Sequence, residues 1–207
     1  MSPEDRTGYR QEALGAFAHE FRTPLTAIKM VMELGRRAGG EGKIVLDPEI
    51  AEMFDESMAG LEELADGIQA LSWLERGKLA LSDGPCELGD AIAGVRRLLG
   101  EDVAFEVAGA EKISGPWDPE KLRDCLAALI DAAVRCGDGA PVLRAEQGSG
   151  TTLLVVESGK PGGEARPINA DLGFRFFAAC LTLEQFDGSV VCERRAGYLR
   201  VEIELPS

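Results

Sequence analysis

A single histidine, His19, stands in 207 residues, and that scarcity excludes a good deal of chemistry. The five cysteines, Cys86, Cys125, Cys136, Cys180 and Cys192, are odd in number and scattered, with no C-x-x-C pair. Zinc needs clustered Cys or His ligands, so no metal site is expected. The cysteines read as small buried residues in a reducing cytoplasm, not as disulfides. No run of about 18 apolar residues exists, so no membrane span is expected. Met1 to Gln11 is polar and lacks the apolar region of a signal peptide. Basic residues are few: 22 against 36 acidic ones, for a net charge of −14. That balance argues against nucleic acid or an anionic membrane as partner. The expected location is cytoplasmic. An apolar fraction of 45% in a chain of this length allows one or two domains with a real core.

What is present centres on Ala18-His19-Glu20-Phe21-Arg22-Thr23-Pro24-Leu25-Thr26-Ala27-Ile28. Leu14, Ala18, Phe21, Leu25, Ile28 and Met32 recur at spacings of four and three, an apolar seam at helical period. His19 falls beside the seam, so its ring is expected to face out of the core on a rigid helix. Arg22 and Thr23, at i+3 and i+4, share its face. An exposed, rigidly held imidazole is suited to accept a phosphoryl group. A helix is expected from residue 12 to about 37, closed by the glycines of Ala38-Gly39-Gly40-Glu41-Gly42. Asp47-Pro48 opens a second helix, with Asp as N-cap and Pro at the first helical position. Ile50, Phe54, Ser57, Leu61, Leu64, Ile68 and Leu71 carry that helix to about residue 76. Two narrow seams make half a core; a symmetric four-helix dimer would complete it, the alternative being a monomer whose hairpin packs against its own C-terminal part.

Residues 77–81 read as a short strand or connector, and residues 82–85 as a turn. Mixed α and β patterns follow. Helices are expected over 87–99, from Asp118-Pro119 to Gly137, and over 170–185. A strand is expected over 103–107, and hairpins over 141–157 and 188–205.

His19-Glu20-Phe21-Arg22-Thr23-Pro24-Leu25 resembles the phosphoacceptor motif of bacterial sensor histidine kinases, His-Glu-x-x-Thr-Pro-Leu. Most of residues 79–207 resembles the ATP-binding domain of the same kinases, with Asp118-Pro119-Glu120-Lys121-Leu122 at a helix start and Tyr198 to Pro206 as the last strand. The resemblance implies an α+β fold: an antiparallel helical hairpin at 1–78, dimerising into a four-helix bundle, then an α/β sandwich at 79–207.

The nucleotide motifs depart from the family. Its asparagine pair on the central helix, one a magnesium ligand, falls on Ala128 and Ala132, and a methyl group cannot ligate magnesium. Its Asp-x-Gly-x-Gly stretch appears as Glu157-Ser158-Gly159-Lys160-Pro161. Only six residues separate Gly163 from Ala170, where kinases carry a longer lid. The Gly-rich phosphate loop is reduced to Asp171-Leu172-Gly173-Phe174. No cofactor is therefore expected to bind this chain.

The resemblance then implies a histidine phosphotransferase of a phosphorelay, like the small group of bacterial phosphotransferases built from a kinase hairpin and a degenerate kinase domain. His19 would carry a phosphoryl group between response-regulator receiver domains, whose own Mg2+ serves the transfer. Catalytic candidates are His19, Glu20 and Thr23. Arg22, Thr26, Lys29 and Met58 are candidates for receiver contact, and an upstream hybrid histidine kinase is an expected partner. The alternatives are an active autokinase, favoured by Glu20, and a non-catalytic pseudokinase that binds a receiver or a kinase. Thr23 also matches the position that orients hydrolytic water in bifunctional kinases.

Overall fold

A computed structural model describes residues 3–39, 43–76, 84–100, 103–109 and 112–207. Helix α1 (Pro3–Gly39) runs unbroken through Pro24, and α2 (Pro48–Glu75) returns beside it. The start of α2 follows the expected chemistry: Asp47 accepts a hydrogen bond from the Ile50 amide at 2.9 Å, with Pro48 in the first turn. The connector at 77–81 and the first two residues of the turn after it lie outside the described residues.

Strand β1 (Cys86–Glu87) leads into α3 (Leu88–Leu99). β2 (Glu106–Ala108) and β3 (Ser114–Gly115) precede α4 (Pro119–Cys136). β4 (Val142–Gln147) and β5 (Thr151–Ser158) form one hairpin, and β6 (Ser189–Arg195) and β7 (Tyr198–Pro206) another, with α5 (Phe174–Leu183) between them. The five-stranded sheet has the order β2-β4-β5-β7-β6, parallel at β2–β4 and antiparallel elsewhere. β1 and β3 form a separate two-stranded ladder.

Alternation sets the sheet's two faces. Leu143, Ala145, Leu154, Val156, Val201, Ile203 and Leu205 point to one face and are buried. Helix α4 covers that face, buried along Leu122, Leu126, Leu129, Ile130 and Ala133, with α3 and α5 packed on its flanks. The opposite face is polar. There Glu157 pairs with Arg144 and with Arg200, the latter at 3.2 Å.

Three sequence expectations shift. The strand expected at 103–107 forms at 106–108 instead, because Phe105 is buried at the core beneath the Arg96 guanidinium, 4.5 Å from its ring centre. The helix expected over 170–185 is divided. A 3₁₀ turn at Ala170–Leu172 ends at Gly173, whose φ of +91° cannot continue a right-handed helix, and α5 starts anew at Phe174. The seam on α1 is not the face buried within this chain. Leu14 and Phe21 are exposed, whereas Ala13, Ala16 and Val31, about a quarter turn around the helix, are buried.

Candidate functional site

His19 lies on α1 and is exposed, as its place beside the seam requires. It stands at the rim of a cleft of 790 Å³ between the hairpin and the α4/α5 face. Glu20, Thr23 and Ala27 line the cleft from α1, and Glu56, Gly60 and Glu63 from α2. The far wall includes Lys121, Asp124 and Ala128 of α4, and Phe174, Arg175 and Thr182 of α5. Of the residues singled out in the sequence, His19, Glu20 and Thr23 are brought together here. Arg22, Thr26, Lys29 and Met58 are exposed and do not line this cleft. The Thr26 hydroxyl donates to the Arg22 carbonyl at 2.8 Å, which turns it back onto its own helix.

The cleft has two walls because α5 docks on the hairpin just above His19. Phe174, only 1% exposed, meets Phe17 edge-on at a centroid distance of 5.7 Å. Tyr9 packs on Phe177 at 5.9 Å. Gly67 of α2 lets the Phe174 ring approach: a Cβ there would lie 2.5 Å from Cε1. Arg175 pairs with Glu63 at 2.9 Å across the joint. Glu20 directs Oε1 to the Phe174 amide, 2.7 Å away. Sequence reading missed Glu63, Gly67, Phe174 and Arg175. Gly67 was the one available signal, and an ambiguous one: Gly60 stands in the same helix and a Cβ there would meet nothing within 4 Å.

Positions where the nucleotide motifs would stand are packed or engaged. Ala128 is 4% exposed and Ala132 fully buried, with α5 packed against α4. Leu172 is fully buried, and its carbonyl accepts from Arg135 at 2.9 Å. Glu157 is held on the outer sheet face by Arg144 and Arg200. Ser158 turns inward and donates to the Gly139 carbonyl at 2.8 Å. Among the described residues, no group of three or more His, Cys, Asp or Glu side chains is placed to hold a metal ion.

Of the five thiols, Cys125 lines the cleft and the other four do not. Burial pushes the Cys125 thiol well above its ordinary value, and the Asp124 charge adds to that. Cys180 is raised by burial and by its hydrogen bond with Cys192. Cys192 is lowered by that same bond and by one with Tyr9.

Residues 9–77 match the family described as His Kinase A (phospho-acceptor) domain. No curated protein matches the sequence. Among solved structures the chain is similar to histidine kinase AdeS of Acinetobacter baumannii, with a TM-score of 0.72 at 18% identity over 91% of this chain and 97% of that one. It is similar to histidine kinase ThkA in a complex with response regulator protein TrrA, with a TM-score of 0.63 at 17% identity over 98% of this chain and 63% of that one. Full-length ShkA in complex with AMPPNP gives a TM-score of 0.60 at 17% identity over all of this chain and 46% of that one. At these identities the likeness is one of fold: a helical hairpin followed by the α/β domain of histidine kinases. Among the described residues no helix is long and apolar enough to cross a membrane.

Proposed function

From a histidine-kinase-like chain, with a phospho-acceptor hairpin leading into a domain of the histidine-kinase fold, we infer a histidine phosphotransferase of a two-component phosphorelay. The observation that carries the reading is a contrast within one molecule. His19 is exposed on α1 inside an unbroken phosphoacceptor motif, while the buried residues Ala128, Ala132 and Leu172 stand at the positions that correspond to the family's nucleotide motifs. That contrast supports chemistry that requires only a positioned imidazole over chemistry that requires ATP.

A receiver domain brings its aspartyl phosphate in line with a neutral nitrogen of His19. The N–P bond forms as the acyl P–O bond breaks, and the aspartate leaves as a carboxylate. The second ring nitrogen keeps its proton, so the transfer needs no base on this chain. The reverse step loads a second receiver. Magnesium belongs to the receiver's acidic pocket and helps to neutralise the phosphoryl charge. An upstream hybrid histidine kinase is the natural source of the first phosphorylated receiver. Arg22, Thr26 and Lys29 of α1 and Met58 of α2, all exposed, are proposed to contact receivers.

The assembly proposed is a cytoplasmic homodimer through residues 1–78, with residues 79–207 as the degenerate domain. Its support is the stripe of Leu14, 56% exposed, and Phe21, 39% exposed, which the chain itself leaves uncovered at helical spacing.

The test uses labelled phosphate from two sources. Label from a phosphorylated receiver, and none from Mg-ATP, is expected on the wild type, with none from either on His19→Ala. Label from ATP would make the protein an autokinase. Label from neither would make it a pseudokinase that binds without transferring. Unchanged transfer by His19→Ala would end the reading, since no other histidine exists.

A further inference from the structure

Glu20 follows the phosphoacceptor directly, yet one helical residue turns the direction by about 100°, and its carboxylate is committed elsewhere. Oε1 accepts the Phe174 amide at 2.7 Å, across 154 positions of sequence. Helix α5 has no side-chain cap of its own, because its N-cap residue is Gly173. The first amides of a helix have no intrahelical acceptor, and its N-terminal end favours negative charge. Glu20 supplies both the acceptor and the charge from a different part of the chain. Gly173 admits it: a Cβ there would meet Glu20 Oε1 at 2.9 Å, and its φ of +91° already disfavours any other residue. Phe174 on Phe17 and Gly67, and Arg175 on Glu63, complete the joint around this bond.

We propose that Glu20 is a positioning residue that caps α5 and so latches the C-terminal domain beside His19, making the α4/α5 face the second wall of the cleft that a receiver enters. The capping is independent of the phosphotransferase reading; the receiver's use of that wall rests on it. The glycine of the reduced phosphate loop thus serves an interdomain joint, and no proton transfer to Glu20 is required.

Glutamine separates the two roles, because its side-chain oxygen accepts the same amide hydrogen but is a poor proton acceptor. Hydrogen exchange of the first α5 amides and the kcat and KM for a phosphorylated receiver are measured on wild type, Glu20→Ala and Glu20→Gln. Glu20→Ala is expected to speed exchange about fivefold, the factor to which a typical lost N-cap corresponds, and to raise KM for the receiver more than it lowers kcat. Glu20→Gln is expected to return both to within about twofold of wild type, as an oxygen that still caps should. Exchange left unchanged by Glu20→Ala would overturn the latch. Normal exchange with transfer lost in Glu20→Gln would show that the carboxylate serves the histidine proton, which also overturns the proposal. If wild type takes no label from any receiver, the phosphotransferase reading fails, while the exchange comparison still decides whether Glu20 holds α5.

Discussion

Two glycines in α2, seven residues apart, offer a measurement of how firmly the C-terminal domain is seated. A Cβ at Gly60 would meet nothing within 4 Å, whereas one at Gly67 would lie 2.5 Å from Phe174 Cε1. Both positions are helical, so alanine gains the same intrinsic amount at each, about 1 kcal/mol. At Gly60 that gain stands alone, and Tm should rise by about 2–4 °C for a chain of this size. At Gly67 the new methyl is roughly 1 Å inside normal carbon–carbon contact. The ring cannot swing aside freely, since Phe174 is 1% exposed and held edge-on by Phe17. Overpacking of this kind costs about 1–3 kcal/mol, which cancels or exceeds the helix gain. Gly67→Ala should therefore be less stable than Gly60→Ala by about 1–3 kcal/mol in urea unfolding. Its strain is relieved most simply by lifting α5, so exchange of the α5 amides should quicken in this variant alone. If the two variants are equally stable, with equal exchange, Phe174 is not tightly seated on α2 and the two-walled cleft is not held as described.

Other expectations follow from charge, packing and burial. Lys29 is exposed on the same helix as His19, on a chain of net charge −14, so Lys29→Glu should slow receiver association by up to about tenfold at low salt. The loss should shrink at high salt while the nucleophile stays intact, and stopped-flow binding at two salt concentrations reads it. Titration calorimetry with Mg-ATP should give no micromolar binding, because Ala128 and Ala132 offer buried methyl groups where oxygen ligands are needed; a saturable magnesium-dependent heat would contradict this. Phe21→Asp should place a charge in the proposed dimer seam and convert the species seen by light scattering to a monomer; a monomeric wild type at tens of micromolar would remove the dimer. Cys125 and Cys180 stay neutral in the fold while unfolded thiols ionise near their ordinary value of 9.0. Stability should thus be unaffected by them below that pH and fall above it. Cys125→Ala should lose part of the difference between urea midpoints at pH 8 and pH 10; an unaltered difference would refute the cause.

Local chemistry was legible in the sequence wherever a few adjacent residues decide the outcome. Asp47-Pro48 and Asp118-Pro119 each announced a helix, and both aspartates accept the expected amide at 2.9 Å. The two hairpins followed from alternation and glycine turns. His19 was legible because a seven-residue motif and an apolar period agreed on where its ring points. The docking face was not. Tyr9, Ala13, Ala16 and Phe17 form a second stripe on α1, but two of the four are alanines, which carry little hydrophobic signal. Their partner, α5, lies more than 150 residues on. The break at Gly173 was hidden for the same reason: the largely apolar stretch from Leu172 to Leu183 reads as one helix until a distant carboxylate is placed at the gap. The ladder of β1 and β3, two residues on each side, is too short for any pattern.

The 154-residue span between Glu20 and Phe174 also bears on how the molecule is made. The hairpin leaves the ribosome first. At about 5–20 residues per second, its docking face waits roughly 8–30 s for α5 to be synthesised. Completion of the sheet is delayed longer still, because β7, an interior strand between β5 and β6, comes last in sequence. During that interval Tyr9 and Phe17 are as bare as Leu14 and Phe21, and the nascent hairpin shows two sticky stripes where the finished chain shows one. On the proposed dimer, a neighbouring nascent hairpin would have two stripes to pair through until the C-terminal domain covers one of them.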